Sequence, residues 1–239
     1  MKPLRLSFLV FALFAGWTTA VSAKPSGSTS IETTLDRKVP RFDTSGRTLV
    51  ACVVDLAYEY QLSMALEFVD ADATTRPLNL QFRNQSVRKI LEGIIRQAPR
   101  YRVNFSQGLV DIFNPESRDD ASNPFNAVIS DFAVAKQETR QAEFQLFCAL
   151  NSQMHPSSGC GGSLAVGQWP SVQITLHLQN AKVYEILNAI VAQNGKALWT
   201  LMVRPDALSK RQSGNLWYVY PLEQPFKSTV LERLEGIGR

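Results

Sequence analysis

The sequence predicts an α+β fold made of two tandem small βαβ-type modules, each with two helices packed on small sheets. Three observations predict it. A segment repeats without gaps 96 residues later: Leu80, Asn84, Val87, Ile90, Leu91, Ile94 and Gln97 recur as Leu176, Asn180, Val183, Ile186, Leu187, Ile190 and Gln193. Within each copy the apolar period changes from two to that of a helix. Leu78, Leu80 and Phe82 alternate with polar residues, and then Val87, Ile90, Leu91, Ile94 and Ile95 follow at helical spacing. The 239 residues also suit two small domains better than one large one.

The chain opens with Lys2 and Arg5, an apolar run from Leu6 to Ala15, and the small residues Val21-Ser22-Ala23. This is the pattern of a secretory signal peptide, residues 1–23. The run is too short to span a bilayer comfortably, and no Leu-x-x-Cys lipid-anchor pattern follows it. The mature protein is expected in the periplasm without a transmembrane segment. Loss of Lys2 and Arg5 lowers the net charge from +4 to +2, so nucleic acid is not an expected partner.

Residues 24–40, rich in Ser, Thr, Lys and Pro, form a flexible lead-in on this reading. The first module spans residues 41–114. It begins with a short strand at Arg41-Phe42-Asp43-Thr44 and a helix from Thr48 to Tyr60 carrying Leu49, Cys52, Val53 and Leu56. A strand from Leu62 to Val69, a turn-rich connection and the alternating strand through Phe82 come next. Asn84 and Ser86 then offer side-chain oxygens to the second helix, which Pro99 bounds. A hairpin turning at Gln107-Gly108 closes the module.

Residues 115–126, with prolines, serines and acids around a single Arg, form the expected linker. The second module spans 127–222. It has a strand near Ala127 to Ala133, a helix through Gln145 to Asn151, an insertion at 156–170 and a last strand from Leu216 to Tyr220. The tail, 223–239, contains a short helix. Thr229 and Glu232 suggest a capping box there, and Phe226, Val230, Leu234 and Ile237 lie on one face. Such a helix packs on the second module or docks elsewhere.

The three cysteines admit two readings. Cys52 and Cys148 are 96 apart, which makes them equivalent core residues and leaves Cys160 alone. Alternatively, Cys148 and Cys160 form a disulfide across a short loop in an oxidising compartment.

From Arg41 to Asn114 the chain resembles the short N-terminal domain shared by secretins and TonB-dependent receptors. The residues that carry the resemblance are the Phe42-Asp43 strand, the helix with Leu49, Val53 and Leu56, Ser86 opening the second helix, Ile90-Leu91, Ile94-Ile95, Tyr101, Val103, Gly108 and Val110-Asp111-Ile112. Asn84 stands where Gly is common, Ile90 where a small residue is usual, and Pro99 interrupts the helix-to-strand turn. The second copy matches from Val172 to Val203. The resemblance implies a periplasmic module that binds other proteins or assembles into rings. With no barrel or pore segment after the modules, it implies a free-standing adaptor of secretion, pilus or receptor machinery.

Catalytic chemistry is not expected. The two histidines are His155, in a loop, and His177, on the polar side of a strand. Cys160 and His155 lack two further metal ligands, and Ser157 to Gly162 lacks the residues of a phosphate loop. Glu67, Asp70 and Asp72 read as a solvated turn. No cofactor is expected. The candidate partner-binding face is basic: Arg83, Arg88, Lys89, Arg96, Arg100 and Arg102. A helical ladder of Arg88, Glu92 and Arg96 is the competing explanation of part of it. An exposed sheet edge is a second candidate surface. The alternative function is binding of a small ligand or envelope polymer at Trp169, Trp199, Trp217 and Tyr218.

Overall fold

The computed structural model describes residues 31–68, 75–106, 108–154, 156, 160, 172–202 and 217–235. The signal peptide, most of the insertion 156–170, His155, Trp169 and the end of the tail lie outside them. The fold is α+β.

The first half runs α1 (Ile31–Leu35), β1 (Lys38–Asp43), α2 (Leu49–Tyr60), β2 (Met64–Phe68), β3 (Gln81–Ser86), α3 (Val87–Ile95), β4 (Arg102–Ser106) and β5 (Leu109–Phe113). The connector carries α4 (Pro115–Asp119) and a 3-10 turn, Pro124–Asn126. The second half runs β6 (Val128–Glu138), α5 (Thr139–Met154), β7 (Gln173–Lys182), α6 (Val183–Asn194), β8 (Ala197–Met202) and β9 (Trp217–Pro221), followed by α7 (Gln224–Glu235). Two expectations are corrected here. Residues 31–40, read as a flexible lead-in, form α1 and the start of β1, and the supposed linker is largely folded.

Local chemistry fixes the helix starts. Thr48 accepts the Ala51 N–H at 3.1 Å and Ser86 accepts the Lys89 N–H at 3.4 Å. At the matching place in the second half Lys182 has no such oxygen, and the Glu185 carboxylate instead accepts the Lys182 N–H at 2.8 Å. Asn84 does not cap. It adopts a left-handed backbone with φ 50°, as does Asn180. Asn tolerates this region better than most residues.

Each Asn kinks a two-stranded antiparallel ribbon, β1 with β3 and β6 with β7. The kink puts residues three apart on the same buried face: Val39 with Phe42, and Ile129 with Phe132. In register, Val39 faces Gln85 and Ile129 faces Ala181. The back strands thus repeat at 96 residues but the front strands at 90, and α2 and α5 also start 90 apart. The counterpart of Cys52 is therefore Ala142, both fully buried, and not Cys148. Cys148 is bonded to Cys160, with Cα atoms 5.1 Å apart, while Cys52 is a free thiol pushed up to about 11 by burial.

The two halves do not keep separate sheets. Among the described residues the remaining strands form one five-stranded sheet in the order β4-β5-β2-β8-β9. β2 lies at its centre, parallel to β5 on one side and β8 on the other. Alternation along each strand divides two cores. Met64, Leu66, Val110, Ile112, Leu198 and Tyr220 face α2 and α3, whereas Ala65, Leu109, Ala197, Trp199 and Val219 face α5 and α6. Central strands covered on both faces are apolar nearly throughout, as Met64-Ala65-Leu66 and Ala197-Leu198-Trp199 are.

The tail helix also departs from expectation. α7 begins at Gln224, so Thr229 lies inside it and caps nothing. It packs on α2 of the first half, with Val230 fully buried and Phe226 and Leu231 against the same core. Lys227 meets Asp55 at 2.6 Å, and Asp55 also pairs with Arg47. The Tyr58 hydroxyl donates to the Pro221 carbonyl at 3.0 Å, and Gln61 Nε2 donates to the Leu222 carbonyl at 2.8 Å. The first core is thereby closed by the C-terminal end of the chain.

Candidate interaction surfaces

The six predicted basic residues separate into two groups. Arg88 is committed to α1: it pairs with Glu32, lies 3.8 Å from Asp36, and its guanidinium sits 4.6 Å from the centre of the Phe105 ring. Arg100 pairs with Glu116 at 3.1 Å, an exposed contact worth little in water. Arg102 donates to the carbonyls of Pro99 and Tyr101 at 2.7 and 2.9 Å. Arg83, Lys89 and Arg96 are exposed and make no ion pair among the described residues. The ladder through Glu92 is not formed, because neither Arg88 nor Arg96 pairs with it among those residues. Across the first ribbon Arg83 stands opposite Arg41, a like-charge pairing that disfavours the strand pair by itself. At the same register of the second ribbon Asp131 stands opposite Gln179. The two ribbons share a backbone and differ in charge.

A second group of functional-looking residues is buried, and the sequence reading missed it. Glu67, expected in a solvated turn, is 1% exposed on β2. Asp111 on β5 is also buried. Between them Arg118 from α4 donates its Nε to Glu67 at 3.2 Å and both terminal nitrogens to Asp111 at 2.9 and 2.7 Å. Its guanidinium lies 3.8 Å from the centre of the Phe113 ring and 4.3 Å from that of Tyr184. Ser117 donates to Glu67 at 2.8 Å. Asn188 donates from Nδ2 to Asp111 at 3.3 Å, and its Oδ1 accepts the Trp199 indole N–H at 2.7 Å. Burial raises the Glu67 carboxyl above its ordinary value, opposed by the Ser117 hydrogen bond and the Arg118 charge.

The geometry describes a fastener. The two carboxylates already hold the donors around them, and Trp199 is fully buried and stacked on Phe125, rings 6.3 Å apart and nearly parallel. Trp199 is thus core and not a ligand-binding surface. Trp169 and the side chains of Trp217 and Tyr218 lie outside the described residues. The sequence signal for the fastener was present: one Arg and one Phe, Arg118 and Phe125, in a connector otherwise suited to solvent.

Glu143 on α5 is the remaining unusual acid. It accepts the N–H of Val219 on β9, and burial pushes its carboxyl from 4.5 to about 7 against that hydrogen bond and the nearby Arg140. Its place corresponds to Val53 of α2, at the 90-residue spacing. His177 lies 2.9 Å from Asp131 on the exposed ribbon. Among the described residues no three His, Cys, Asp or Glu side chains converge as a metal site, and no helix is long and apolar enough to cross a membrane.

No family model, curated protein or solved structure matches this chain.

Proposed function

We propose that this chain is an exported, non-catalytic adaptor of the cell envelope that docks a protein partner on the basic face of its first half. The partner is a component of a secretin-type secretion system or of a TonB-linked signalling pathway, as the resemblance of residues 41–114 implies. The observation that carries the reading is the contrast between spent and unspent charge. The buried acids Glu67 and Asp111 are matched inside the molecule, while Arg83, Lys89 and Arg96 remain unmatched among the described residues. Lys89 and Arg96 are seven residues apart on one helix and share a face. Opposite charge on a partner would steer encounter and fix orientation, and the association would weaken with salt.

The test is capture from cross-linked envelope membranes, with the partner identified by mass spectrometry. Reversing Arg83, Lys89 and Arg96 together to Glu is expected to reduce capture at least tenfold without lowering the melting temperature. Undiminished capture by that triple variant removes this face from the function.

A further inference from the structure

The edges of a sheet are where backbone groups are left to pair with another chain, and proteins blunt the edges they do not use. Three blunting devices occur here. The outward N–H of Val219 on β9 is taken by Glu143. The ribbon strands β3 and β7 are kinked at Asn84 and Asn180. β6 is broken by a register shift between Val134 and Gln137, where Lys136 has φ 51°.

β4, the other edge of the five-stranded sheet, has none of these. Its five residues pair with β5 in unbroken register. Val110 of β5 sends its N–H to Ser63 at 3.0 Å, on the β2 side. The Phe105–Val110 pair is therefore not hydrogen-bonded, so the N–H and C=O of Phe105 point away from β5. The same alternation turns out those of Val103, and neither finds a partner among the described residues.

One cation on β4 is not offset by an acid among the described residues: Arg102 is exposed and donates only to the carbonyls of Pro99 and Tyr101, whereas Arg100 pairs with Glu116 and Arg88 with Glu32 and Asp36. Pairing β4 antiparallel with β4 of a second copy, Val103 opposite Phe105, would put Arg102 opposite Ser106 and offer it no carboxylate. We propose that β4 is an acceptor strand, to which an extended segment of a protein partner adds as a sixth strand. That segment carries carboxylates on the side of Arg102, Asn104 and Ser106 and small apolar residues on the side of Val103 and Phe105. This assignment rests on the adaptor reading above and specifies how such a partner binds.

The experiment uses the full mature chain and a capped heptapeptide, Thr-Glu-Val-Glu-Val-Glu-Thr, with the lysine-for-glutamate peptide as control. Amide exchange followed by NMR is expected to slow at least tenfold at Val103 and Phe105 with the acidic peptide and not with the control. Val103→Pro removes an outward N–H that the sheet does not use, and should abolish binding. Arg102→Glu should weaken the acidic peptide at least fivefold. Unchanged exchange at both amides overturns the proposal, and that measurement on the unaltered chain decides even if Val103→Pro fails to fold. Retained binding by a folded Val103→Pro variant also overturns it. Protection that grows with protein concentration and no peptide makes the occupant a second copy, which again overturns it. Loss of capture by the Arg83, Lys89 and Arg96 reversal alone, with Val103→Pro still capturing, leaves the adaptor reading standing and this one refuted.

Discussion

The two faces of the central sheet have been filled differently. One is hydrocarbon: Met64, Leu66, Val110, Ile112 and Leu198 lie under α2 and α3, with α7 closing the layer. The other, under α5 and α6, places Trp199 and Phe125 beside Glu67, Asp111, Arg118 and Asn188. A strand, a helix, a kinked strand, a second helix and a hairpin recur in both halves, so the element order does not require the ions. They occur where the first half, the connector and the second half meet. An apolar contact there would tolerate sliding, whereas a bidentate Arg–carboxylate pair accepts one geometry. The hydrocarbon face supplies cohesion and the ionic face sets alignment.

Arg118→Ala is the severest way to break that comparison. It leaves two buried carboxylates without their cation, a loss of about 3–5 kcal/mol. A fall in melting temperature of about 10 °C is expected, since each kcal/mol is worth roughly 2–4 °C in a chain of this size. A shift under about 2 °C would show that the ions do not align the halves.

Asn84→Ala and Asn180→Ala probe whether the two ribbons are equivalent. Each forces Ala into a left-handed backbone at a cost of about 1–2 kcal/mol, while Gly at either place should be nearly neutral. Urea midpoints should fall equally for the two Ala variants, and a clear inequality would mean that the kinks differ in their support.

The effect at Glu143 shows only as a dependence on pH. Its folded-state pKa, about 7, lies above the ordinary 4.5, so the folded chain holds a proton that the unfolded chain releases. Stability from this group is present at low pH and declines as pH rises from about 4.5 to about 7. Glu143→Gln should flatten that decline, read as urea midpoints at pH 5 and pH 8, and an unaltered profile would assign the slope elsewhere.

Much of the fold was legible because local periodicity carries it. The strand–helix pattern ending at Ile95 and at Val191 lies at the expected spacing, with α3 and α6 in place. What was missed is non-local. A gapless spacing of 96 aligned Cys52 with Cys148, since the shorter front-strand spacing emerges only from the strand pairing. The shared sheet had a signal in the continuous apolar runs of β2 and β8, which differ from the alternation of β4. Phe82 and Gly93 also have a paired exchange. A Cβ on Gly93 would stand 2.6 Å from the Phe82 ring, and the second half puts the smaller Leu178 opposite the larger Ala189 at those places. Of the candidate surface, the basic residues were legible as composition. Which of them are neutralised was not, because Glu32 and Glu116 approach from segments read as lead-in and linker.

The attachment of α7 to α2 bears on the order in which the chain acquires its shape. Val230 and Leu222 enter the same interior as Leu49 and Ile90, across most of the polypeptide. A nascent chain delivered from its N-terminus cannot finish its first interior until α7 has arrived. Long-range closure of this kind slows folding. The early segments therefore wait with oily surface uncovered until α7 packs, and a holding chaperone has a defined window in which to act.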